Sequence, residues 1–287
     1  MALCHVVMEA YMQPSISQLF VYPIKSCAGI SVSNFSFDQK GPLFDRRWML
    51  VDKHSGTFLS QREFPIMALI STRIEEGRVW ASQVINPQIE STLCLPNEGS
   101  LLDVNIWADD VQGFDCGDEA ALWFSAIVDH ECRLVYQGGC ERAADIEYTE
   151  PGTEVGYADG FPLLVVAASS VGMLNEACDD GDIGVLNFRP NIVVENTDSF
   201  SEVYWQSLAT GTVAMKVVKP CQRCVIPALN PKTGRRENGV LPVLLRYCRR
   251  DKKIYFGQNL TFEYTSNMYI SVGDNLNIKS SCDKALK

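Results

Sequence analysis

Short runs of hydrophobic residues, many of them aromatic or β-branched, recur between turn signals along the first half of the chain, a pattern typical of β-strands. The first run, 16–22, is rich in aromatic and β-branched residues and ends at Pro23, which cannot donate a ladder hydrogen bond. The same pattern predicts further strands at 32–37, 45–51 and 57–62, a hairpin at 67–80, strands around Cys94 and Trp107, and a strand at 133–136. The N-terminal half is therefore predicted to be almost entirely β.

Helical patterns are few. A helix is predicted over 120–128 with Asp118 as its N-terminal cap, and a second helix begins at Ser169 or Ser170 and ends near 179–181. In the second half, strands are predicted at 163–166, 192–195, 212–219, 241–245, 255–256 and 270–276, and we expect them to close as a β-barrel. The predicted fold class is α+β, mostly β.

Two packed lobes are predicted from the length of 287 residues, at which one hydrophobic core begins to split into two. Segment 138–156 starts with two glycines, contains Pro151-Gly152 and is acidic, so it is predicted to be a linker or surface loop. The predicted boundaries are 14–137 for a β-rich N-terminal domain and 157–280 for a β-barrel domain. Whether the acidic stretch 141–154 is a lid or an exposed loop stays open.

The net charge, the N-terminal residues and the lengths of the apolar stretches allow predictions about binding partners and cellular location. The net charge of −10, from 35 acidic and 25 basic residues, argues against general binding of nucleic acid or anionic membranes. The first dozen residues do not resemble a secretory signal, and the longest apolar stretch, 161–168, is too short to span a bilayer. We therefore expect a cytosolic protein that contacts neither membrane nor nucleic acid. Most of the eleven cysteines are expected to be free thiols.

A CxxC pair, Cys221 and Cys224, lies in a basic region. The stretch from Lys219 to Lys253 contains ten basic residues and only two acidic ones. This region is either an anion-binding surface or an ordinary solvated face. The cysteine pair by itself fits half of a zinc site, a redox dithiol, or two thiols without a task.

Two of these alternatives find little support elsewhere in the sequence. With three histidines and a single CxxC, a protein-only zinc site would need distant thiols such as Cys248. A thioredoxin-like dithiol requires a helix after the motif, but Pro227 and Pro231 disfavour one. The role of the cysteine pair therefore has to be inferred from other parts of the sequence.

Five separated stretches occur in the order expected for one protein family, and the cysteine pair is part of one of them. They are Tyr-Pro-Ile-Lys-Ser at 22–26, Asp-Arg-Arg-Trp at 45–48, Asn-Phe-Arg-Pro-Asn at 187–191, Lys-Pro-Cys-Gln-Arg-Cys at 219–224 and Phe-Gly-Gln-Asn at 256–259. Together they resemble the MOSC-domain molybdoenzymes, the family of bacterial YcbX and the mitochondrial amidoxime reducing component. The resemblance implies a MOSC N-terminal-type lobe packed on a MOSC-type β-barrel.

The resemblance also implies a bound molybdenum cofactor, in which a pterin dithiolene and one protein thiolate hold the metal. The thiolate implied is Cys224, with Cys221 as a neighbour that does not ligate. Asp159 is implied as a proton relay or weak ligand near the metal, although a turn residue before Gly160 is the alternative. The residues that match the family's cofactor contacts are Lys25, Ser26, Arg46, Arg189, Asn191 and Arg223.

The activity implied is reduction of small N-hydroxylated compounds, such as hydroxylamino-purines or amidoximes, by removal of oxygen. The alternative is a module that carries the cofactor or transfers sulfur, as in cofactor sulfurases. Because no ferredoxin-type cysteine pattern follows the MOSC-like region, electrons are expected from a separate flavoprotein or ferredoxin-like protein. Pro227 and Ala228 replace the threonines usual after the second cysteine, which removes a hydroxyl donor that would help orient the substrate near the metal. Relatives tend to be basic where 141–154 is acidic here, so the substrate preference is expected to differ.

Overall fold

The computed structural model describes residues 12–281, which contain nineteen β-strands and four α-helices. The strands are β1 Ser15–Val21, β2 Ile30–Val32, β3 Asn34–Asp38, β4 Gly41–Pro42, β5 Trp48–Asp52, β6 Ser71–Glu75, β7 Arg78–Ser82, β8 Thr92–Cys94, β9 Ser100–Ile106, β10 Asp109–Asp115, β11 Cys132–Tyr136, β12 Leu163–Ala167, β13 Ile192–Glu195, β14 Trp205–Thr210, β15 Val213–Arg223, β16 Arg249–Arg250, β17 Lys253–Phe262, β18 Tyr269–Ser271 and β19 Asn277–Ser280. The helices are α1 Asp118–Val128, α2 Ala168–Glu176, α3 Val185–Phe188 and α4 Val240–Tyr247. Short 3-10 helices cover Pro65–Leu69, Ser201–Tyr204 and Ile226–Ala228.

A nine-stranded sheet forms the larger lobe. Its order is β19-β14-β15-β17-β12-β13-β1-β2, and β16 pairs with β17. The N-terminal strand β1 thus joins strands from the second half of the chain: it lies between β13 and β2, and its Leu19 pairs with Ile192 of β13. Alternate residues of these strands, including Val165 and Leu260, are fully buried in one core. This sheet brings the 22–26 stretch beside the 187–191 stretch.

The smaller lobe contains a four-stranded sheet, ordered β5-β11-β10-β9, and the three-stranded sheet β6-β7-β8. Helix α1 buries Ala120, Phe124 and Ile127 against this lobe's core. The helix begins after Gly117, so Asp118 lies inside its first turn rather than at the cap as predicted. There Asp118 accepts a hydrogen bond of 2.6 Å from Arg133.

The mostly-β class and the two lobes predicted from the sequence are confirmed, but further details differ besides Asp118. The predicted strand 57–62 does not form: Thr57 and Phe58 make only isolated β-bridges, and a turn follows. Residues predicted as a strand at 241–245 form α4, because a continuous apolar run does not distinguish a buried strand from a helix. The strands of the second lobe were expected to close as a barrel. In the described residues their pairing instead runs as an open path from β19 to β2.

Behind α2 lies a buried carboxylate, Glu202, with 1% of its surface exposed. Its Oε2 accepts a hydrogen bond of 2.7 Å from Ser170 Oγ, whereas Oε1 has no hydrogen-bond partner among residues 12–281. Burial raises the pKa of Glu202 to about 7, although the Ser170 hydroxyl opposes the shift. Glu202 is therefore a buried acid without a cation.

The 138–156 segment joins the lobes and is tied down by Arg142, of which 5% is exposed. The Arg142 guanidinium donates to the carbonyl oxygens of Gly156 and Ala158, at 3.0 and 2.6 Å, and its Nε donates to Asp109 at 3.0 Å. The assignment of this segment as a linker stays a prediction. Its hydrogen bonds fix the backbone that leads to Asp159.

Candidate functional site

A cleft with a volume of about 320 Å³ lies between the lobes, a size within the range of small-molecule sites. Both cysteines of the CxxC pair line it. Its lining includes two carboxylates, Asp145 and Asp159. The cationic residues that line it are Lys25, Arg46, Arg62, Arg189, Lys219 and Arg223. The cleft therefore has an excess of positive charge and suits an anionic ligand.

The two cysteines lie at the end of β15. The pairing of β15 with β17 shifts register between Val217 and Lys219 and again between Pro220 and Gln222. Such bulges bend a strand and redirect its side chains. Cys221 is half-buried and burial raises the pKa of its thiol, whereas Cys224 is exposed.

The short 3-10 helix Ile226–Ala228 comes directly after the cysteines, and the Ile226 amide donates to Cys224 Sγ at 3.5 Å. A thioredoxin-like dithiol would need an α-helix at this position, whereas α4 begins only at Val240. Within residues 12–281, no three His, Cys, Asp or Glu side chains are grouped so as to hold a metal ion.

Arg223, between the cysteines, is held by two backbone carbonyls. Its Nε donates to Phe256 O and its Nη1 to Phe188 O, both at 2.9 Å. Its Nη2 is buried and has no hydrogen-bond partner in the described part of the chain. Gly257 lies beside it with φ +75°, and an added Cβ there would come within 2.8 Å of Val165 O. One face of Arg223 is thus fixed and one N–H group remains for a ligand.

The Tyr22 cluster, defined as Tyr22, Arg46 and Arg189, forms the next part of the site. The guanidinium carbons of Arg46 and Arg189 lie 4.3 and 4.4 Å from the Tyr22 ring centroid. Arg46 donates to Asp45 at 2.6 Å, and Arg189 donates to Cys27 O at 2.7 Å. Burial, together with the neighbouring Arg46 charge, lowers the pKa of Arg189. Two desolvated cations held this closely favour binding of an anion.

Asn191 was predicted as a cofactor contact, and it lines the cleft but is only 1% exposed. Its Oδ1 accepts from Arg46 Nη1 and from the Leu164 amide, both at 3.2 Å, and its Nδ2 donates to Phe20 O. Asn191 therefore orients Arg46 and ties two strands together.

Lys25 and Asp159, which are 134 positions apart, form an ion pair at 2.5 Å in the cleft. Lys25 is 6% exposed and also donates to Tyr157 O at 2.9 Å. Burial lowers the pKa of Lys25, while Asp159 opposes the shift. For Asp159, whose side chain is 76% exposed, desolvation acts to raise the pKa, but the Lys25 ammonium and the Trp107 indole outweigh it and lower the pKa. Asp159 is therefore ionised at neutral pH.

Several residues in or beside the cleft have an unusual backbone conformation with positive φ. Three of the predicted cofactor-binding residues have positive φ, namely Ser26 at 68°, Arg46 at 49° and Arg189 at 54°. Trp107, beside the cleft, has φ 60°. Non-glycine residues adopt this conformation rarely and at a cost in free energy, and they concentrate at functional sites. The structure brings all eight predicted site residues to one cleft.

Sequence reasoning missed the Trp107 cluster, defined as Phe58, Arg62 and Trp107. The rings of Phe58 and Trp107 lie 4.9 Å apart, and the Arg62 guanidinium carbon lies 4.4 Å from the Trp107 ring centroid. Trp107 Nε1 also donates to Asp159 at 3.2 Å. The hairpin strand predicted at 57–62 carried no signal that distinguished Arg62 from an ordinary surface residue.

Lys219 was likewise not assigned a role, although it precedes the CxxC pair. It donates to Asp145 at 3.1 Å and lies 4.0 Å from the centroid of the Tyr148 ring. Asp145 and Tyr148 belong to the acidic 141–154 stretch. This stretch therefore contacts the cleft at Lys219.

Among the residues that the structure describes, no helix combines the length and apolar character needed to cross a membrane.

Comparison with known proteins places these features in a family. The model of the MOSC N-terminal beta barrel domain matches residues 13–131, and that of the MOSC domain matches residues 152–277. The chain is 32% identical to mitochondrial amidoxime reducing component 2 of Bos taurus, over 77% of this chain and 68% of that protein. It is 31% identical to mitochondrial amidoxime-reducing component 1 of Mus musculus, over 85% of this chain and 75% of that protein.

A third relative bears a different name. The molybdenum cofactor sulfurase of Bos taurus is 30% identical over 90% of this chain, which corresponds to 32% of the sulfurase. The resemblance predicted from the five stretches is thus confirmed across both lobes. The chain belongs to the MOSC-domain family that includes the amidoxime reducing components.

Proposed function

We propose that this protein is a molybdenum-cofactor-dependent reductase that removes oxygen from N-hydroxylated compounds. The observation that carries the proposal is the meeting of Cys224 with the six cationic residues in one cleft, in a chain related to amidoxime reducing components over most of its length.

The residues of the cleft fit the cofactor. Its phosphate and pterin need cationic and hydrogen-bonding partners, and Arg223 Nη2 is a buried donor without a protein acceptor within residues 12–281. A thiolate is a soft ligand suited to a transition metal, and Cys224 is the more exposed thiol. Cys224 would ligate the metal, while Lys25, Ser26, Arg46, Arg189 and Arg223 would hold the rest of the cofactor and Asn191 would orient Arg46.

When bound, the cofactor supplies the two-electron chemistry of the reaction. Reduction of R–NHOH to R–NH₂ and water consumes two electrons and two protons. Because Asp159 is ionised at neutral pH, we assign the proton to Lys25 Nζ and the role of holding that ammonium toward the cleft to Asp159. The lowered pKa of Lys25 makes its ammonium a stronger acid than an exposed lysine. A separate electron-donor protein, a flavoprotein or ferredoxin-like, would restore the electrons.

A test measures molybdenum by elemental analysis in protein produced by a host that makes the cofactor. We expect stoichiometric molybdenum in the wild type, nearly complete loss in Cys224→Ser and retention in Cys221→Ser. Full retention in Cys224→Ser, or wild type without molybdenum, would contradict the proposal.

A second candidate is a cofactor carrier or sulfur-transfer module, which the match to molybdenum cofactor sulfurase over 90% of this chain favours. Reduced viologen as an artificial electron donor separates the two functions. Catalytic turnover of an amidoxime or a hydroxylamino-purine supports the reductase, whereas bound molybdenum without turnover supports the carrier.

A further inference from the structure

Arg62 differs from the other cationic residues of the cleft. Each of the other five donates a hydrogen bond to a protein oxygen, as Lys25 does to Asp159, Arg46 to Asp45, Arg189 to Cys27 O, Lys219 to Asp145 and Arg223 to Phe256 O. Within residues 12–281, neither a hydrogen bond nor an ion pair involves the Arg62 guanidinium, and its Nε is buried without a partner. Arg62 is the one cleft cation of this region whose donors are all uncommitted.

The backbone around Arg62 is nevertheless well fixed. The neighbouring Gln61 is 4% exposed and donates to Ser26 O at 2.6 Å, which ties this segment to the cofactor side of the cleft. The Arg62 amide donates to Ser60 Oγ at 3.3 Å. The guanidinium carbon lies over the Trp107 ring, 4.4 Å from its centroid, a cation–π contact that uses none of the N–H donors. The side chain is thus positioned before any ligand binds.

A buried donor without an acceptor costs free energy, so a functional site is expected to supply the acceptor with its ligand. The planar fork of an arginine matches phosphate and carboxylate groups, which it binds through two parallel hydrogen bonds. The Tyr22 cluster and Arg223 already provide cations for the cofactor. Arg62 belongs to the separate Trp107 cluster, in which Phe58 adds an aromatic surface to the cleft.

We propose that Arg62 binds an anionic group of the substrate, a phosphate or a carboxylate, while the planar part of the substrate lies against Phe58. The preferred substrates are then N-hydroxylated compounds that carry such a group, for example a nucleotide with an N-hydroxylated base, rather than the free base. This inference rests on the proposed reductase function and adds the substrate class to it.

The first test compares two substrates that differ only in the anion, an N-hydroxylated purine nucleoside and its 5′-monophosphate. We expect the wild type to have the higher kcat/KM for the monophosphate. Arg62→Gln should reduce this preference about 10- to 100-fold, the effect of losing charged hydrogen bonds worth about 1.5–3 kcal/mol. Arg62→Lys, which keeps a charge but not the planar fork, should retain part of the preference.

Arg73 supplies a matched control, since its guanidinium carbon lies 5.0 Å from the Trp80 ring centroid, outside the cleft. Arg73→Gln also removes an arginine that stacks on tryptophan, and it should keep the full preference for the monophosphate. An equal effect of Arg73→Gln and Arg62→Gln would overturn the proposal.

The second test is independent of turnover. Calorimetric titration with adenosine monophosphate and adenosine, neither of which is N-hydroxylated, measures the contribution of the phosphate to binding. If the wild type binds the monophosphate more tightly and Arg62→Gln does not, the result supports the subsite. This conclusion holds even if neither N-hydroxylated compound is reduced and the proposed reductase function fails. Equal binding of both ligands by the wild type overturns the subsite, whatever the reductase assay shows.

Molybdenum content of the same variants identifies the source of the anion. Retention of molybdenum in Arg62→Gln supports a substrate anion. Loss of molybdenum comparable to that in Cys224→Ser would show that Arg62 binds the cofactor phosphate, and would overturn the proposal.

Discussion

The Tyr22 cluster and the Trp107 cluster both place arginine on an aromatic ring beside the cleft, but they treat its hydrogen-bonding edge differently. Arg46 and Arg189 donate to Asp45 and Cys27 O, whereas the Arg62 guanidinium donates to no protein group within residues 12–281. The first arrangement would suit a ligand that stays bound, such as the proposed cofactor. The second would suit a ligand that exchanges, such as the proposed substrate. Four predictions test this difference, in order of decreasing effect.

Arg46→Met should be the most destabilising change, because it leaves the Asp45 carboxylate, 3% exposed, without its cation. Removing one partner of a buried ion pair costs about 3–5 kcal/mol, measurable by urea denaturation. In the exposed pair of Arg73 and Glu75, Arg73→Met should cost less than about 1 kcal/mol. Similar losses in the two variants would mean that the Tyr22 cluster is not fixed by its ion pair.

The second prediction concerns the pH dependence of stability caused by Glu202, a buried carboxylate that has no cationic partner within residues 12–281. Its pKa is raised to about 7 in the folded protein from 4.5, so the unfolded chain loses this proton first as the pH rises. Stability should therefore fall by about 3 kcal/mol between pH 4.5 and 7 and then level off. In Glu202→Gln this decrease should be absent, as denaturation at pH 5 and pH 8 would show. A decrease of the same size in the variant would contradict the assignment.

Gly257→Ala should destabilise the protein by about 2 kcal/mol, because the residue has φ +75° and its Cβ would crowd Val165 O. Gly77→Ala is a control with φ +73° and no atom within 4 Å of its Cβ, so it should cost only about 1 kcal/mol. Thermal or urea denaturation gives both values. Equal costs would show that the backbone around Arg223 adapts to the added methyl group.

The smallest expected effect is the stacking energy of Arg62 on Trp107. A double-mutant cycle with Arg62→Met and Trp107→Leu should give a coupling free energy of about 0.5–1 kcal/mol. The same cycle on Arg73 and Trp80 is the reference, and it should give a similar value. A coupling well above the reference would indicate that Arg62 has a further partner, and the contrast between the clusters would weaken.

Local sequence signals predicted much of the fold and of the site. The aromatic and β-branched residues of 16–22 predicted β1, and the turn residues Glu76-Gly77 predicted the hairpin of β6 and β7, although the first residues of the predicted hairpin 67–80 belong to a 3-10 helix. The five family stretches pointed to Cys224, Arg46 and their neighbours, which the structure brings to one cleft. The apolar run 241–245 gave the wrong element, since it fits a buried strand and a helix equally well.

What the sequence did not predict depends on contacts between distant residues. No local pattern reveals that Lys25 pairs with Asp159, that Asn191 orients Arg46, or that the Arg62 guanidinium has no acceptor within residues 12–281. Closure of the second lobe into a barrel also depends on contacts between distant residues. It depends on whether the outer strands β19 and β2 meet, and the lengths and patterns of individual strands do not determine that.

The long sequence separation of the cleft residues has a consequence for biosynthesis. Arg189 reaches Cys27 across 162 positions and Asn191 reaches Phe20 across 171, while β12 completes the sheet only by pairing with β17. A ribosome that has released the entire N-terminal half has therefore made neither the Tyr22 cluster nor the strand that carries the cysteines. The cleft is therefore assembled only after β17 has emerged, and a cofactor bound there would be loaded after that point in translation.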